Sequence, residues 1–449
     1  MSSLKQYTDL YDAQRDIIDA GSCAPMNACR PAAREALRAA DALPDTRDER
    51  YKYTDAAAAF APDYGLNLRR AAVKGDPYAT YRCEVPNLST SLYFVVNDTP
   101  CPPAARAPQA EEGVVVAPLR EAAQKMPGFI ERYYNRAAGR EHDAVAALNT
   151  LLAQDGLLVF IPDGVRLKQP LQIVNVAAGE ADLMSNRRLL VVAGKGAAAT
   201  VLLCEHTAGT GRSLTTQVVE VFADEMAEID IFSIEETGER CVRFCNLFAE
   251  QQAGSRLTHN GVVLTCGLTR NTMTFRLLGP ESRVAANGAV VADGTQHADN
   301  NILVDHAAPH CQSNLLYKCV LDGESIGAFA GKVLVRPGAQ QTASEQVNAN
   351  LCASPRARAY SQPMLEIYAD DVKCNHGSTI GKLDETALFY MRQRGIPEAE
   401  ARLVLQHAFI NDVIRRISIE HLRERLLHLV ELRFRGELAK CRSCRMCRQ

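Results

Sequence analysis

The chain has 449 residues, 47% of them hydrophobic and 23% charged, with a formal net charge of −3. That length passes the size at which one compact core keeps growing, so several units or an elongated repeat are expected. The near-neutral balance excludes a general electrostatic attraction for nucleic acid or anionic lipid.

The first residues carry Lys5, Asp9, Asp12, Arg15 and Asp16, too many charges for a secretory leader. No uninterrupted apolar run reaches the roughly 20 residues that cross a bilayer. A cytoplasmic protein is therefore expected. Fifteen cysteines are an odd number at low density, which suits buried thiols in a reducing compartment better than a disulfide framework.

Residues 1–155 read as a helical N-terminal region with a Pro-rich loop. Leu4, Tyr7 and Tyr11 recur at helical spacing, Pro31 opens a second helix reaching toward Leu43, and Val145, Leu148, Leu151 and Leu152 share one side of a third. Between them Cys101-Pro102-Pro103-Ala104-Ala105-Arg106-Ala107-Pro108 breaks regular structure and reads as a loop.

Residues 156–379 change period. Short runs rich in Val, Ile, Leu and Phe, such as 189–193, 200–204, 218–222, 229–234, 262–265, 273–277, 302–304 and 333–335, alternate with polar residues. Asn260-Gly261, Asn287-Gly288, Asp322-Gly323 and Pro337-Gly338 punctuate them as turn signals, and Asn246, Asn300-Asn301 and Asn314 read as polar corners. No amphipathic helix intervenes, which argues against a doubly wound α/β sheet. A mainly β fold, a β-helix of about eight to ten rungs of roughly 20–25 residues, is expected.

Residues 380–436 are helical again. Asp384 is an N-cap, Gly395 sits where a C′ glycine belongs, and Pro397 starts a second helix with Glu398 and Glu400 in its first turn. Ser418 caps a third helix with a stripe of Ile419, Leu422, Leu426 and Leu429, and Gly436 follows it. Residues 437–449 form a Cys-rich tail.

The sequence lacks the phosphate loop G-x-x-x-x-G-K-[ST], the G-x-S-x-G elbow and the H-E-x-x-H pair, so ATP-driven or hydrolytic chemistry would have to come from a partner. Three segments are dense in possible ligands. His306 and His310 have H-x3-H spacing, but Pro309 and the β pattern place them about 13 Å apart in extended chain, so they read as satisfied corner histidines. Cys374 and His376, two apart on a strand, share a face and could present sulfur and imidazole together, two ligands of a metal either shared with another chain or held only transiently. Cys441, Cys444 and Cys447 form a C-x2-C-x2-C run that is short of one ligand for a cluster site. The flanking arginines would lower their thiol pKa values.

The string Pro363-Met364-Leu365-Glu366-Ile367-Tyr368-Ala369-Asp370-Asp371-Val372-Lys373-Cys374-Asn375-His376-Gly377-Ser378-Thr379-Ile380-Gly381-Lys382-Leu383-Asp384 resembles the signature of the SufB/SufD family. Gln296-His297-Ala298-Asp299, Gly327-Ala328-Phe329-Ala330-Gly331-Lys332 and Arg47-Asp48-Glu49-Arg50-Tyr51-Lys52-Tyr53-Thr54 extend the likeness over nearly all the chain before the tail. His376-Gly377 and the lack of an N-terminal cysteine cluster place it with the SufD-type members. The resemblance implies a right-handed parallel β-helix between helical ends and a non-catalytic scaffold role in iron–sulfur cluster assembly. It also implies pairing with a SufB-like subunit through the C-terminal end of the β-helix and docking of a SufC-like ATPase on the C-terminal helices. In that picture His376 faces a partner cysteine and helps hold iron or a nascent cluster shared between subunits, Cys374 supports it, and no nucleotide binds this chain. The cysteine tail is a departure from the family pattern. Two rival readings are a self-contained iron–sulfur carrier using that tail and a β-helix carbohydrate-active enzyme. Co-purifying partners and bound iron discriminate among the three.

Overall fold

The computed structural model describes residues 3–70, 75–81, 85, 87–101 and 113–438. It opens with helices α1 (Ser3–Ala20) and α2 (Ala24–Ala40) and the one-turn helices α3 (Ala56–Ala59) and α4 (Pro77–Thr80). Strands β1 (Ser91–Val96), β2 (Thr99–Cys101) and β3 (Val115–Pro118) follow, and then helices α5 (Leu119–Lys125), α6 (Pro127–Tyr133) and α7 (Ala144–Leu152). The stretch read as helical thus also contributes strands. The expected stripes on α1 and α7 are buried. Pro31, however, lies inside α2; the first turn holds Pro25 instead, where a missing N–H costs no helical bond. Arg30, beside Pro31, is 1% exposed and donates to the carbonyls of Thr150, Leu151 and Ala153, which locks α2 onto the end of α7. The prolines of the expected loop at 102–108 lie outside the described residues.

From residue 157 the chain is a succession of strands in two stacks. One stack holds β4 (Leu157–Ile161), β6 (Leu183–Ala193), β8 (Ser213–Ala223) and β10 (Cys241–Gln251). It continues through β12 (Leu268–Leu277), β14 (His297–His306), β16 (Ile326–Val335) and β18 (Arg358–Ile367). The other begins with β5 (Leu171–Ala178), β7 (Ala198–Ala208), β9 (Glu228–Glu236) and β11 (Arg256–Thr265). It ends with β13 (Arg283–Ala292), β15 (Gln312–Leu321), β17 (Thr342–Cys352) and β19 (Val372–Gly381). Every strand from β4 to β17 pairs in parallel with the strand two places on, giving a β-solenoid of about eight turns. Helices α8 (Glu385–Gln393), α9 (Glu398–Ile414) and α10 (Glu420–Phe434) complete the described chain.

The turns are longer than the expected 20–25 residues. Register offsets run from 26, where Val242 pairs with Leu268, to 32, where Ile326 pairs with Arg358. Each turn spends about ten residues on a strand in each sheet and needs two connections besides. The core is a ladder of inward Val, Leu, Ile, Phe and Ala running through the turns, from Tyr93 and Val95 at one end to Tyr317 and Phe329 near the other. Arg187 with Glu205 at 2.8 Å and Arg243 with Glu235 at 3.3 Å sit inside it, and Arg188 with Glu220 at 3.3 Å is buried on the outer face under the N-terminal helices, charges that must be matched to be buried at all.

Two of the turn signals fall in mid-strand. Asn260-Gly261 lies in β11 and Asn287-Gly288 in β13, where Asn287 Nδ2 donates to Asn260 Oδ1 at 2.9 Å. Stacked amides satisfy each other along the ladder, a role that pattern reading assigns to turns. Asn246 and Asn300 are likewise buried within strands, not placed at corners. Asp322-Gly323 and Pro337-Gly338 do make turns, and Gly323 has φ +61°.

Gly288 is required for space: a Cβ there would come within 2.2 Å of the Tyr317 ring, itself 2% exposed. Gly288→Ala is expected to cost about 1–3 kcal/mol through overpacking, read as a lowered denaturation midpoint.

Candidate functional site

The last turn of the solenoid differs from the rest. Among the described residues β18 and β19 each terminate a sheet, so each pairs on one side only. Their side chains are half-buried or exposed almost throughout, while β16 below is largely buried. At the opposite end the sheets are closed by antiparallel strands: β2 turns back on β1, and β3 lies against β4. An unpaired row of backbone N–H and C=O groups on two ten-residue strands is the feature that folded proteins usually cover or blunt. Here the edge carries Pro363 on β18 and the densest candidate segment on β19.

The contacts of β19 fix its faces. Val372 and Cys374 pack on the buried cluster of Val333, Val335, Ala339 and Ala369, so they point inward. Lys373 and Asn375 line an outer groove, so they point outward. Period two then puts His376, Ser378 and Ile380 on the inward face with Cys374. Ser378 Oγ donates to Ser361 Oγ of β18 at 2.6 Å across the mouth. His376 is exposed because no described residue stacks above it, although its backbone register places it over Gln346, which is 0% exposed. The structure therefore brings Cys374 and His376 to one face of the open end, two residues apart, roughly 6.6 Å along the strand.

The two groups differ in readiness. Burial pushes the Cys374 thiol up, partly offset by a hydrogen bond from the Ser344 backbone. That favours the neutral thiol at neutral pH and makes Cys374 a weaker ligand than a free thiolate. Among the described residues no three His, Cys, Asp or Glu side chains converge closely enough to hold a metal ion. Cys441, Cys444 and Cys447 lie outside the described residues.

Of the other candidate histidines, His306 and His297 have structural partners. His306 is 0% exposed, with Nε2 2.9 Å from Ser313 Oγ, which in turn donates to Ser344 Oγ at 2.8 Å. His310 lies in the following turn at φ +61° and is exposed. His297 Nε2 lies 3.3 Å from Thr54 Oγ1, and Thr54 also donates to Asp299 at 2.6 Å. Asp299 pairs with Arg270, whose guanidinium stacks 3.9 Å over the ring of Tyr51. The Gln296–Asp299 motif thus fastens the N-terminal strap onto the solenoid.

The C-terminal helices lie against the outer face of the odd-numbered sheet. Ile410, Val413 and Ile414 of α9 and Leu422, Leu426, Leu429 and Val430 of α10 are buried in one cluster with that sheet's outward residues. Arg433 locks the end of α10 onto Asp293 at 2.6 and 2.8 Å. Asp384 caps α8 as expected, accepting from the N–H groups of Thr386 and Ala387. Ser418 does not cap α10; Ile419 holds that position and makes no side-chain bond. Phe389 and Tyr390 on α8 remain 61% and 58% exposed.

A family description reading "SUF system FeS cluster assembly, SufBD core domain" matches residues 175–409, and "SufBD protein N-terminal region" matches residues 1–173. An iron–sulfur cluster assembly SufBD family protein of Synechocystis is 26% identical over 412 residues, covering 90% of this chain and 87% of the relative. A SufBD family protein of Mycobacterium tuberculosis is 31% identical over 297 residues, covering 64% and 74%. The iron–sulfur cluster assembly protein SufD of Escherichia coli is 25% identical over 401 residues, covering 88% and 90%.

Burial holds His259 and His306 down at about 4. An unfolded chain takes up these protons near pH 6.5 and the folded chain only near 4, so stability falls as pH is lowered through that window. Histidine NMR shifts of the two residues are expected to stay flat from neutral pH down to about 5, and titration near 6.5 would contradict the burial.

Proposed function

The chain belongs to the SufBD family of the SUF iron–sulfur cluster assembly system, and from that premise we propose that it is a non-catalytic scaffold subunit that holds a nascent cluster jointly with another chain. The observation that carries this reading is the open mouth with His376 exposed on its inward face. One imidazole and one weakly acidic thiol are too few for a cluster, which takes four Cys or mixed Cys and His ligands. The missing ligands must come from a polypeptide seated on the β18–β19 edge.

A SufB-like subunit is the occupant that the family premise favours, entering by edge-strand addition. Main-chain hydrogen bonds would supply affinity and the inward residues of the mouth would supply chemistry. His376 contributes a neutral imidazole to iron, and Cys374 lines the site beside it. The iron or cluster is cargo, released onward, so a site incomplete in either subunit alone suits the role: parting the subunits opens it.

A SufC-like ATPase is the second partner, docking on the helices after the solenoid. α8 offers Phe389 and Tyr390 exposed on a capped helix whose neighbours are anchored to the sheet by Arg433 and the α9–α10 apolar stripe. Exposed aromatics on a rigid support are the usual anchors of an interface. Family membership displaces the carbohydrate-active reading.

His376→Ala is expected to leave the purified complex intact and to impair cluster formation on it. Normal cluster yield from that variant would reject the assignment. Phe389→Ala combined with Tyr390→Ala is expected to weaken ATPase retention at least tenfold, about 1.4 kcal/mol, without altering partner pairing at the solenoid end.

A further inference from the structure

We propose that Gln346 is a positioning residue for His376: its buried amide oxygen accepts the imidazole N–H and turns the other ring nitrogen outward, lone pair first, into the mouth. The inference rests on the reading of His376 as a ligand and deepens it.

Gln346 lies on β17 directly in register with His376 on β19. Its side chain is 0% exposed, and its Nε2 donates to the carbonyl of Gly331 on β16 at 3.1 Å, so the amide lies inside the solenoid. Its Oε1 is buried and has no hydrogen-bond partner among the described residues. Such an orphaned acceptor ordinarily costs about 1–3 kcal/mol, and it sits among the buried polar residues Ser344, Asn348 and Asn350 of the same strand face. Adjacent strands are about 4.8 Å apart, and a rotation of the His376 side chain, which makes no bond to Gln346 in this structure, would bring its ring N–H to that oxygen.

The neighbours keep the amide in place. A Cβ on Gly331 would meet Gln346 Nε2 at 2.7 Å and Cδ at 2.9 Å, and the Phe329 ring at 2.7 Å. The glycine that closes Gly327-Ala328-Phe329-Ala330-Gly331 is therefore the space into which the Gln346 amide fits. A motif singled out in the sequence and the candidate ligand are joined through one side chain that carried no signal of its own.

A neutral imidazole binds metal through one nitrogen only if the proton sits on the other, and the bond made by that N–H decides which it is. An acceptor below the ring fixes both tautomer and orientation before iron arrives. Groups of this kind are worth about 10–100-fold in metal affinity.

The test uses nitrogen-15 histidine NMR of the full chain at about pH 8, above the ordinary histidine range, together with ferrous iron retention by the assembled complex. In the native protein His376 is expected to show one tautomer. Gln346→Leu removes the acceptor at similar volume, and Gly331→Ala displaces the amide without removing it. Each is expected to yield a tautomer mixture at His376 and an iron affinity lower by about 10–100-fold. A single unchanged tautomer in either folded variant overturns the proposal. Two failures stay distinguishable. If His376→Ala retains iron normally, the ligand reading falls, and the tautomer result still decides whether Gln346 orients the ring. If His376→Ala loses iron while Gln346→Leu keeps both tautomer and affinity, only the Gln346 assignment falls.

Discussion

A parallel solenoid satisfies its backbone by always having a next turn. Each strand here borrows its hydrogen bonds from the one two places on, and the inward residues of every turn are covered by those of the turn above. The arrangement must stop somewhere, and the two ends stop differently. At the start, antiparallel strands and the helices around α7 close the stack. At the finish, β18 and β19 leave their outer edges bare and their inward side chains uncovered.

That contrast makes the site. The same alternation that buries Val333 and Phe329 lower down aims Cys374 and His376 at the mouth, and the missing turn is what exposes the imidazole. The rest of the molecule holds this end steady. The N-terminal strap reaches the even-numbered sheet through Tyr51, Thr54 and Asp299, and Tyr53 stacks on Tyr360 of β18 with ring centroids 4.5 Å apart. The C-terminal helices grip the odd-numbered sheet, with Arg433 clamped to Asp293, a few residues ahead of the strap's anchor. Both terminal regions thus converge on the segment between β13 and β14.

Much of this was legible in the sequence, for identifiable reasons. Runs of branched apolar residues marked eight of the sixteen strands from β4 to β19, because strand burial depends on period two. Asp384, Gly395 and Gly436 marked helix ends because caps act locally. Cys374 and His376 could be placed on one face from spacing alone. The length of a turn was not legible: without a repeating sequence, nothing local states how much chain two strands and their connections consume. Asn260-Gly261 and Asn287-Gly288 misled because stacked amides in a ladder use the residues that also make turns. Gln346 was missed for a related reason. Its partner is thirty positions away in sequence and adjacent only through the register of β17 with β19.

The central claim is that another chain completes the bare end of the solenoid, and backbone hydrogen exchange reads that most directly. Amides of Val372–Gly381 should exchange quickly in the isolated protein and become strongly protected when the SufB-like subunit is added, while strands β6 to β12 change little. Equal exchange of that strand in the free and the assembled states would contradict the account.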